Sequence, residues 1–255
     1  MINGLIDTHA HLYEDVYSDC IGQLMDELVQ NGIENVICVG CNIKTTKQSI
    51  ALAEKYPFVY AEAGFHPNDT GDITDDTWEE MKRLSRHEKI VAIGEIGLDY
   101  HWDTVPRDLQ KTWFAKQLDY ANEVGLPVVI HSRDATLDTL EILKEHRPEK
   151  GVFHCYSGSP ETLKTVIDMG LSISLGGVVT FKNAKNAAEC AKAVPLERLM
   201  LETDCPYLAP EPYRGKTNRP DYTLYVAEKI AELRSLTTEQ VVAATRENAK
   251  RMFGI

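Results

Sequence analysis

Short runs of Val, Ile and Leu alternate along this chain with segments of helical period. Eight apolar runs recur, at Leu5–Asp7, Asn35–Val39, Val59–Ala63, Ile90–Ile93, Val128–Ile130, Gly151–Phe153, Leu171–Leu175 and Leu199–Leu201. Most are continuously hydrophobic, the composition of parallel strands buried on both faces. Between them, Cys20–Gln30 places Ile21, Leu24, Met25 and Leu28 on one face and meets a stop at Gly32. Leu109–Val124 carries Trp113, Leu118 and Tyr120 among good helix formers and ends at Gly125-Leu126-Pro127. Pro160–Met169 opens on Ser159-Pro160 and closes at Gly170. Thr136–His146, Asn186–Ala193, Tyr222–Leu233 and Thr238–Met252 have the same character. Strand and helix thus alternate without a linker or low-complexity segment, which predicts a parallel sheet with right-handed crossovers. Eight such units in 255 residues fit one α/β domain spanning residues 1–255, a (β/α)8 TIM barrel, better than an open doubly wound sheet. The lack of a Gly-x-Gly-x-x-Gly turn after the first run points the same way.

Composition changes this picture little. A 43% hydrophobic content supports a substantial core. No stretch approaches the roughly 20 apolar residues of a membrane span, and Met1 runs straight into a strand without a signal-peptide pattern. Cys20, Cys38, Cys41, Cys155, Cys190 and Cys205 are scattered, unlike a disulfide framework, so a cytoplasmic location is expected. Cys38-Val39-Gly40-Cys41 has the spacing of a redox or zinc motif, but neither a following helix signal nor a second pair accompanies it. It reads as small residues at a strand end. The net charge of −12 argues against a non-specific DNA coat protein, though not against an enzyme that holds a phosphate with ions and a few arginines.

Barrel enzymes carry their chemistry at the C-terminal ends of the strands. Here those ends are His9 and His11; Gly64-Phe65-His66-Pro67; Gly94-Glu95-Ile96-Gly97-Leu98-Asp99; His131-Ser132-Arg133; His154-Cys155-Tyr156-Ser157-Gly158; and Glu202-Thr203-Asp204. His9 and His11 are two apart, so strand alternation points both imidazoles the same way. Singly, each polar residue could be a hydrogen-bonded rim group, and Asp204 could cap the turn into Pro206. Together, burying so many ionisable groups without counter-charge would be costly, and a pair of divalent ions removes that cost. His87 and His146 fall in polar helical segments and read as solvated, while His101 sits in a loop above the rim.

These segments, with Asp7-Thr8-His9-Ala10-His11, Glu202-Thr203-Asp204-Cys205-Pro206 and Arg214-Gly215-Lys216-Thr217-Asn218-Arg219-Pro220, resemble the TatD family of metal-dependent deoxyribonucleases, within the amidohydrolase-like hydrolases. The resemblance covers nearly the whole chain in order. It implies that His9, His11 and Asp204 bind one ion, and that Glu95 bridges to a second ion held by His131 and His154. Many relatives carry a carbamylated Lys as the bridge and another His where this chain has Asn68.

The expected chemistry follows. Two ions about 4 Å apart clamp a phosphodiester and activate a water for in-line attack. Asp204 orients that water and takes its proton, Glu95 bridges, and His66 hydrogen-bonds the phosphate or leaving group. Arg133 stands near any bound phosphate, unless a rim carboxylate holds it. Tyr156, Tyr100 and Trp102 offer stacking faces to unpaired bases, or else pack within loops. Arg214, Lys216 and Arg219 form a phosphate-binding loop or an exposed turn. The partner is thus a nucleic acid, single-stranded DNA first and RNA or tRNA next, cut from an end. Two other readings stand beside this one. One is hydrolysis of a carbonyl substrate such as a mischarged aminoacyl-tRNA ester, a lactone or an amide; the other is a non-catalytic metal-stabilised barrel. The ions are two of Mg²⁺, Mn²⁺, Zn²⁺, Fe²⁺ or Ni²⁺.

Overall fold

A computed structural model of the chain describes residues 2–102 and 104–255. Eight strands are present: β1 (Leu5–Ala10), β2 (Ile33–Cys38), β3 (Val59–Ala63), β4 (Ile90–Asp99), β5 (Val128–Arg133), β6 (Gly151–Phe153), β7 (Ser172–Leu175) and β8 (Leu199–Leu201). They pair in chain order, all parallel, in one sheet. Ala10 bridges to Cys205, and His11 N–H and Asp204 N–H donate to Cys205 O and His9 O, joining β1 to the end of β8. Asp7 reinforces that seam, accepting from both the backbone N–H and the hydroxyl of Thr203. The expected TIM barrel is therefore the observed fold.

The helices are α1 (Ile21–Gln30), α2 (Ile43–Lys55), α3 (Asp75–Leu84), α4 (Arg107–Val124), α5 (Thr136–Glu145), α6 (Pro160–Asp168), α7 (Lys185–Ala193), α8 (Thr223–Arg234) and α9 (Thr238–Phe253). Two of them, α2 and α3, are not among the periodic segments read from sequence. Each begins with a reciprocal cap, Asn42 with Thr45 and Thr74 with Thr77, in which Thr replaces the usual Glu or Gln. Their buried faces carry few large apolar residues, Thr46, Ser49, Ile50 and Ala53 in α2 and Met81 in α3, which leaves little apolar pattern to read.

Strand alternation sorts the core into two parts. Leu5, Val36, Cys38, Val128, Ile130, Phe153, Leu199 and Leu201 pack outward against the helices. Their neighbours Ile6, Ile37, Val129, Val152 and Met200 form a second cluster with Ala249 and Phe253 of α9. The second set lines the barrel interior, and α9 packs against one end of it. Continued two residues at a time, that inward row runs from Val129 to His131, from Val152 to His154 and from Met200 through Glu202 to Asp204. The apolar floor thus hands over to polar groups along the same strand faces.

Candidate metal centre

Two ligands do not obey that alternation. Thr8 faces the interior, its hydroxyl donating to Leu201 O and lying beside Ser174, yet His9 does so too. Gly94 and Glu95 are likewise consecutive and both inward. Register shifts lie at these places, between Asp7 and Ala10 on β1 and between Ile93 and Ile96 on β4. Such bulges re-aim side chains, and here they turn His9 and Glu95 to the centre. His9 and His11, two apart, point the same way as alternation predicts, with ring centroids 5.2 Å apart and Ala10 between them facing outward; the irregularity lies between Thr8 and His9. The β4 strand also runs on past its apolar stretch to Asp99, pairing with His131, Ser132 and Arg133. Gly97 permits this: its φ is +146°, and a Cβ there would stand 2.0 Å from His131 O.

The structure brings all six expected ligands together. Glu95 Oε1 lies 2.6 Å from His131 Nδ1 and 2.8 Å from His154 Nε2, while Oε2 lies 3.5 Å from His9 Nε2. Asp204 Oδ1 is 3.1 Å from His11 Nε2 and 3.9 Å from His9 Nε2. Asp204 holds this position with φ of +56°, a conformation Asp tolerates better than most residues. His9, His11 and Glu95, His9, His154 and Asp204, and Glu95, His131 and His154 form three groups whose ligand atoms lie within 4.8 Å of one another. Among the described residues, neither nitrogen of the fully buried His9 has a hydrogen-bond partner. Four imidazoles and two carboxylates converging around an orphaned ring suit a divalent transition metal.

A fourth group, His66, Asp99 and His131, is different in kind. Asn68 N–H donates to His66 Nδ1, so the neutral ring carries its proton on Nε2, which faces Glu95 Oε1 at 3.7 Å. His66 is thus a donor aimed into the centre. His131 Nε2 is also taken, donating to Asp99 Oδ2 at 3.0 Å.

Electrostatics follow from burial and proximity. Burial alone would raise Glu95, but His154, His66 and the His131 hydrogen bond hold it well below the usual carboxylate range. Burial likewise opposes charge on His154, yet Glu95, Glu202 and Asp204 hold it at about 10. His9 is pushed down to about 4 by burial and by His154, and His66 to about 3, chiefly by burial. Glu202 rises to about 7 through burial; its Oε1 accepts from Cys155 N–H and faces His154 Nδ1 at 3.8 Å.

The expected substrate contacts fare unevenly. Arg133 is exposed at the end of β5, 5.7 Å from the Trp102 ring, with no carboxylate partner among the described residues. Trp102 is 52% exposed. Tyr156 is not available as a stacking face: it is 6% exposed, and its hydroxyl donates to Ser159 O. Tyr100 is also occupied, donating to Asp138 at 2.6 Å while Arg107 covers its ring at 4.3 Å. Arg219 is the third so engaged, since Glu27 and Asp221 hold its guanidinium at 2.9 and 2.6 Å beside α1. Arg214 stacks on Phe181 at 4.3 Å, and Lys216 lies 5.8 Å from the Tyr213 ring. His87, His146 and His101 pair with Glu54, Asp119 and Asp134 away from the centre.

Several site residues carried no assigned role in the sequence. Asp99 and Glu202 stand within the segments quoted above, and Tyr13 places its hydroxyl 2.8 Å from His11 Nδ1. Half-exposed Tyr207 sits 5.9 Å from the His11 ring. Cys41 is more than a strand-end filler: its thiol lies 3.8 Å from Glu95 Oε2. Tyr13 and Glu202 stand two residues from a ligand, a spacing that strand alternation marks as facing the same way; the other three carry no such signal. All six cysteines are free thiols.

A TIM barrel with this histidine and carboxylate cluster at its strand ends belongs to the metal-dependent hydrolases. Residues 6–254 match the family model described as TatD related DNase, and the chain belongs to the TatD family. It is 47% identical over 253 residues to the uncharacterized metal-dependent hydrolase YabD of Bacillus subtilis (strain 168), covering 98% of this chain and 99% of that one. Against the uncharacterized metal-dependent hydrolase YcfH of Escherichia coli (strain K12) the identity is 35% over 257 residues, covering 98% and 96%. The crystal structure of YJJV, a TatD homolog from Escherichia coli K12, superposes with a TM-score of 0.93 at 30% identity, over 100% of both chains.

Proposed function

We propose that the protein hydrolyses phosphodiester bonds of single-stranded DNA from an end, using two divalent ions. One observation carries the two-ion reading: the oxygens of Glu95 face different imidazoles, Oε1 toward His131 and His154 and Oε2 toward His9. A carboxylate so placed would serve two ligand sets, with His9, His11 and Asp204 on one side and His131 and His154 on the other. When bound, the ions supply positive charge and lower the pKa of a water that attacks phosphorus.

The chain's own groups do the rest. Asp204 orients the attacking water and accepts its proton. His66, kept neutral by burial and holding its proton on Nε2, donates a hydrogen bond to the phosphate or the leaving oxygen. Arg133 offers its guanidinium to a phosphate oxygen, and exposed Trp102 beside it offers a ring face to an unpaired base. Half-exposed Tyr207 offers a second face near His11. Among the described residues, no helix is long and apolar enough to cross a membrane. The six free thiols suit a reducing compartment, and we place the activity in the cytoplasm.

The test is cleavage of 3′- and 5′-end-labelled single-stranded DNA by purified protein across Mg²⁺, Mn²⁺ and Zn²⁺. The expected result is a ladder shortening from one end, abolished by EDTA and by Asp204→Asn. Intact DNA from folded, metal-loaded protein would overturn the nuclease reading and direct the search to carbonyl esters, aminoacyl-tRNA first.

A further inference from the structure

Among the described residues, Glu62 is the one buried carboxylate with neither oxygen hydrogen-bonded. It sits on β3, fully buried, where the strand is otherwise Val, Tyr and Ala. Its Oε1 faces Nδ1 of His9 at 4.0 Å, and that nitrogen is itself without a partner. The space for the carboxyl is made by Gly94 on the adjacent strand. A Cβ at Gly94 would stand 2.6 Å from Glu62 Oε2 and 2.7 Å from Val129 Cβ. A desolvated carboxyl with no partner is costly, so its placement opposite a second unpartnered group calls for a joint explanation.

The other three ring ligands supply it. Each turns one nitrogen to the centre and the other to a polar group: His131 Nε2 to Asp99 at 3.0 Å, His11 Nδ1 to Tyr13 at 2.8 Å, His154 Nδ1 to Glu202 at 3.8 Å. His9 has the same plan, since its Nε2 faces Glu95 and Asp204. A neutral imidazole that gives Nε2 to an ion keeps its proton on Nδ1, and in His9 that proton faces Glu62.

We infer that Glu62 is a positioning residue of the metal centre: a carboxyl oxygen takes the Nδ1–H of His9, fixing the tautomer and ring orientation that present Nε2 to the ion. Closing the pair to hydrogen-bond length needs a movement of about 1 Å. The inference rests on the cluster being a metal centre, not on what the enzyme cleaves.

The test compares full-length wild type, Glu62→Met and Glu62→Gln by chelator competition for Zn²⁺ and Mn²⁺. Melting of each metal-free protein and the His9 ring N–H resonance of each Zn²⁺-loaded protein complete the set. Met fills similar space without an acceptor, whereas Gln retains one oxygen. Glu62→Met is expected to bind the tighter ion about 10–100-fold more weakly and to lose or shift the ring N–H resonance. Its metal-free melting temperature should equal or exceed that of wild type. Glu62→Gln should regain most of the affinity. Equal affinity in wild type and Glu62→Met, or no rescue by Gln, would overturn the inference. Wild type that binds no divalent ion would sink the centre with it, while intact metal binding without DNA cleavage would sink only the nuclease reading.

Discussion

Asp99 takes the far nitrogen of His131 at 3.0 Å, leaving Nδ1 to face Glu95 and His154. Its other oxygen accepts the backbone N–H groups of His101 and Trp102, so the carboxylate is itself clamped. Burial opposes its charge, but His131 and these donors hold its pKa at about 2. A carboxylate anchored in this way sets both the tautomer and the angle of a ligand ring.

Asp99→Ala is therefore expected to lower metal affinity or metal-dependent turnover about 10–100-fold while leaving the barrel folded. Chelator competition and far-UV circular dichroism check the two halves. Unchanged affinity would mean that His131 is held by packing alone.

Arg133 and Arg219 should separate cleanly. Arg133→Ala is expected to raise KM for single-stranded DNA and reduce the salt dependence of binding by about one phosphate's worth. Arg219→Ala should leave KM unchanged and cost about 0.5–1 kcal/mol of stability, because its charge serves Glu27 and Asp221. Steady-state kinetics across a salt series, with melting curves, decide between them.

The centre should respond to pH in two opposite ways. In the metal-free fold His154 is held at about 10, and Asp204 and Asp99 help raise His11 and His131 against the effect of burial. Ligating imidazoles must be unprotonated, so metal loading releases protons and apparent affinity falls as pH falls. The stability sign is reversed. A His raised in the fold contributes stability fully present below its unfolded pKa of about 6.5 and lost as pH rises through the folded value. Metal-free protein should thus melt at lower temperature at pH 9 than at pH 7, while chelator resistance increases over the same interval. Calorimetry in buffers of different ionisation enthalpy measures the proton release directly.

The seam between β1 and β8 predicts a purely structural effect. Asp7 accepts from the Thr203 backbone and hydroxyl and from His9 N–H, all buried. Asp7→Ala leaves those donors unsatisfied and should destabilise the fold by about 1–3 kcal/mol. Denaturant titration of metal-free protein separates this from any loss of ligand geometry.

Much of this molecule was legible in its residues. The continuous apolar runs set eight buried parallel strands, because strands covered on both faces need hydrophobic residues at every position. Polar groups gathered at the ends of those runs announced the centre, since nothing else in the pattern would bury five histidines near one rim. The buried faces of α2 and α3 carry few large apolar residues, and their caps use Thr where Glu or Gln is usual, so little in the sequence marks either helix.

Tertiary structure decided what pairwise spacing does not encode. The bulges in β1 and β4 bring consecutive residues inward, so His9 and Glu95 reach the centre against strict alternation. Arg219 and Tyr156 lie in motif-like segments, yet nearby carboxylates and a carbonyl claim them before any substrate can. Glu62 looks from sequence like a stray charge in a strand. Only the closed barrel sets it opposite His9, because inward residues from β1 and β3 meet across the interior, a distance that one-dimensional order leaves open.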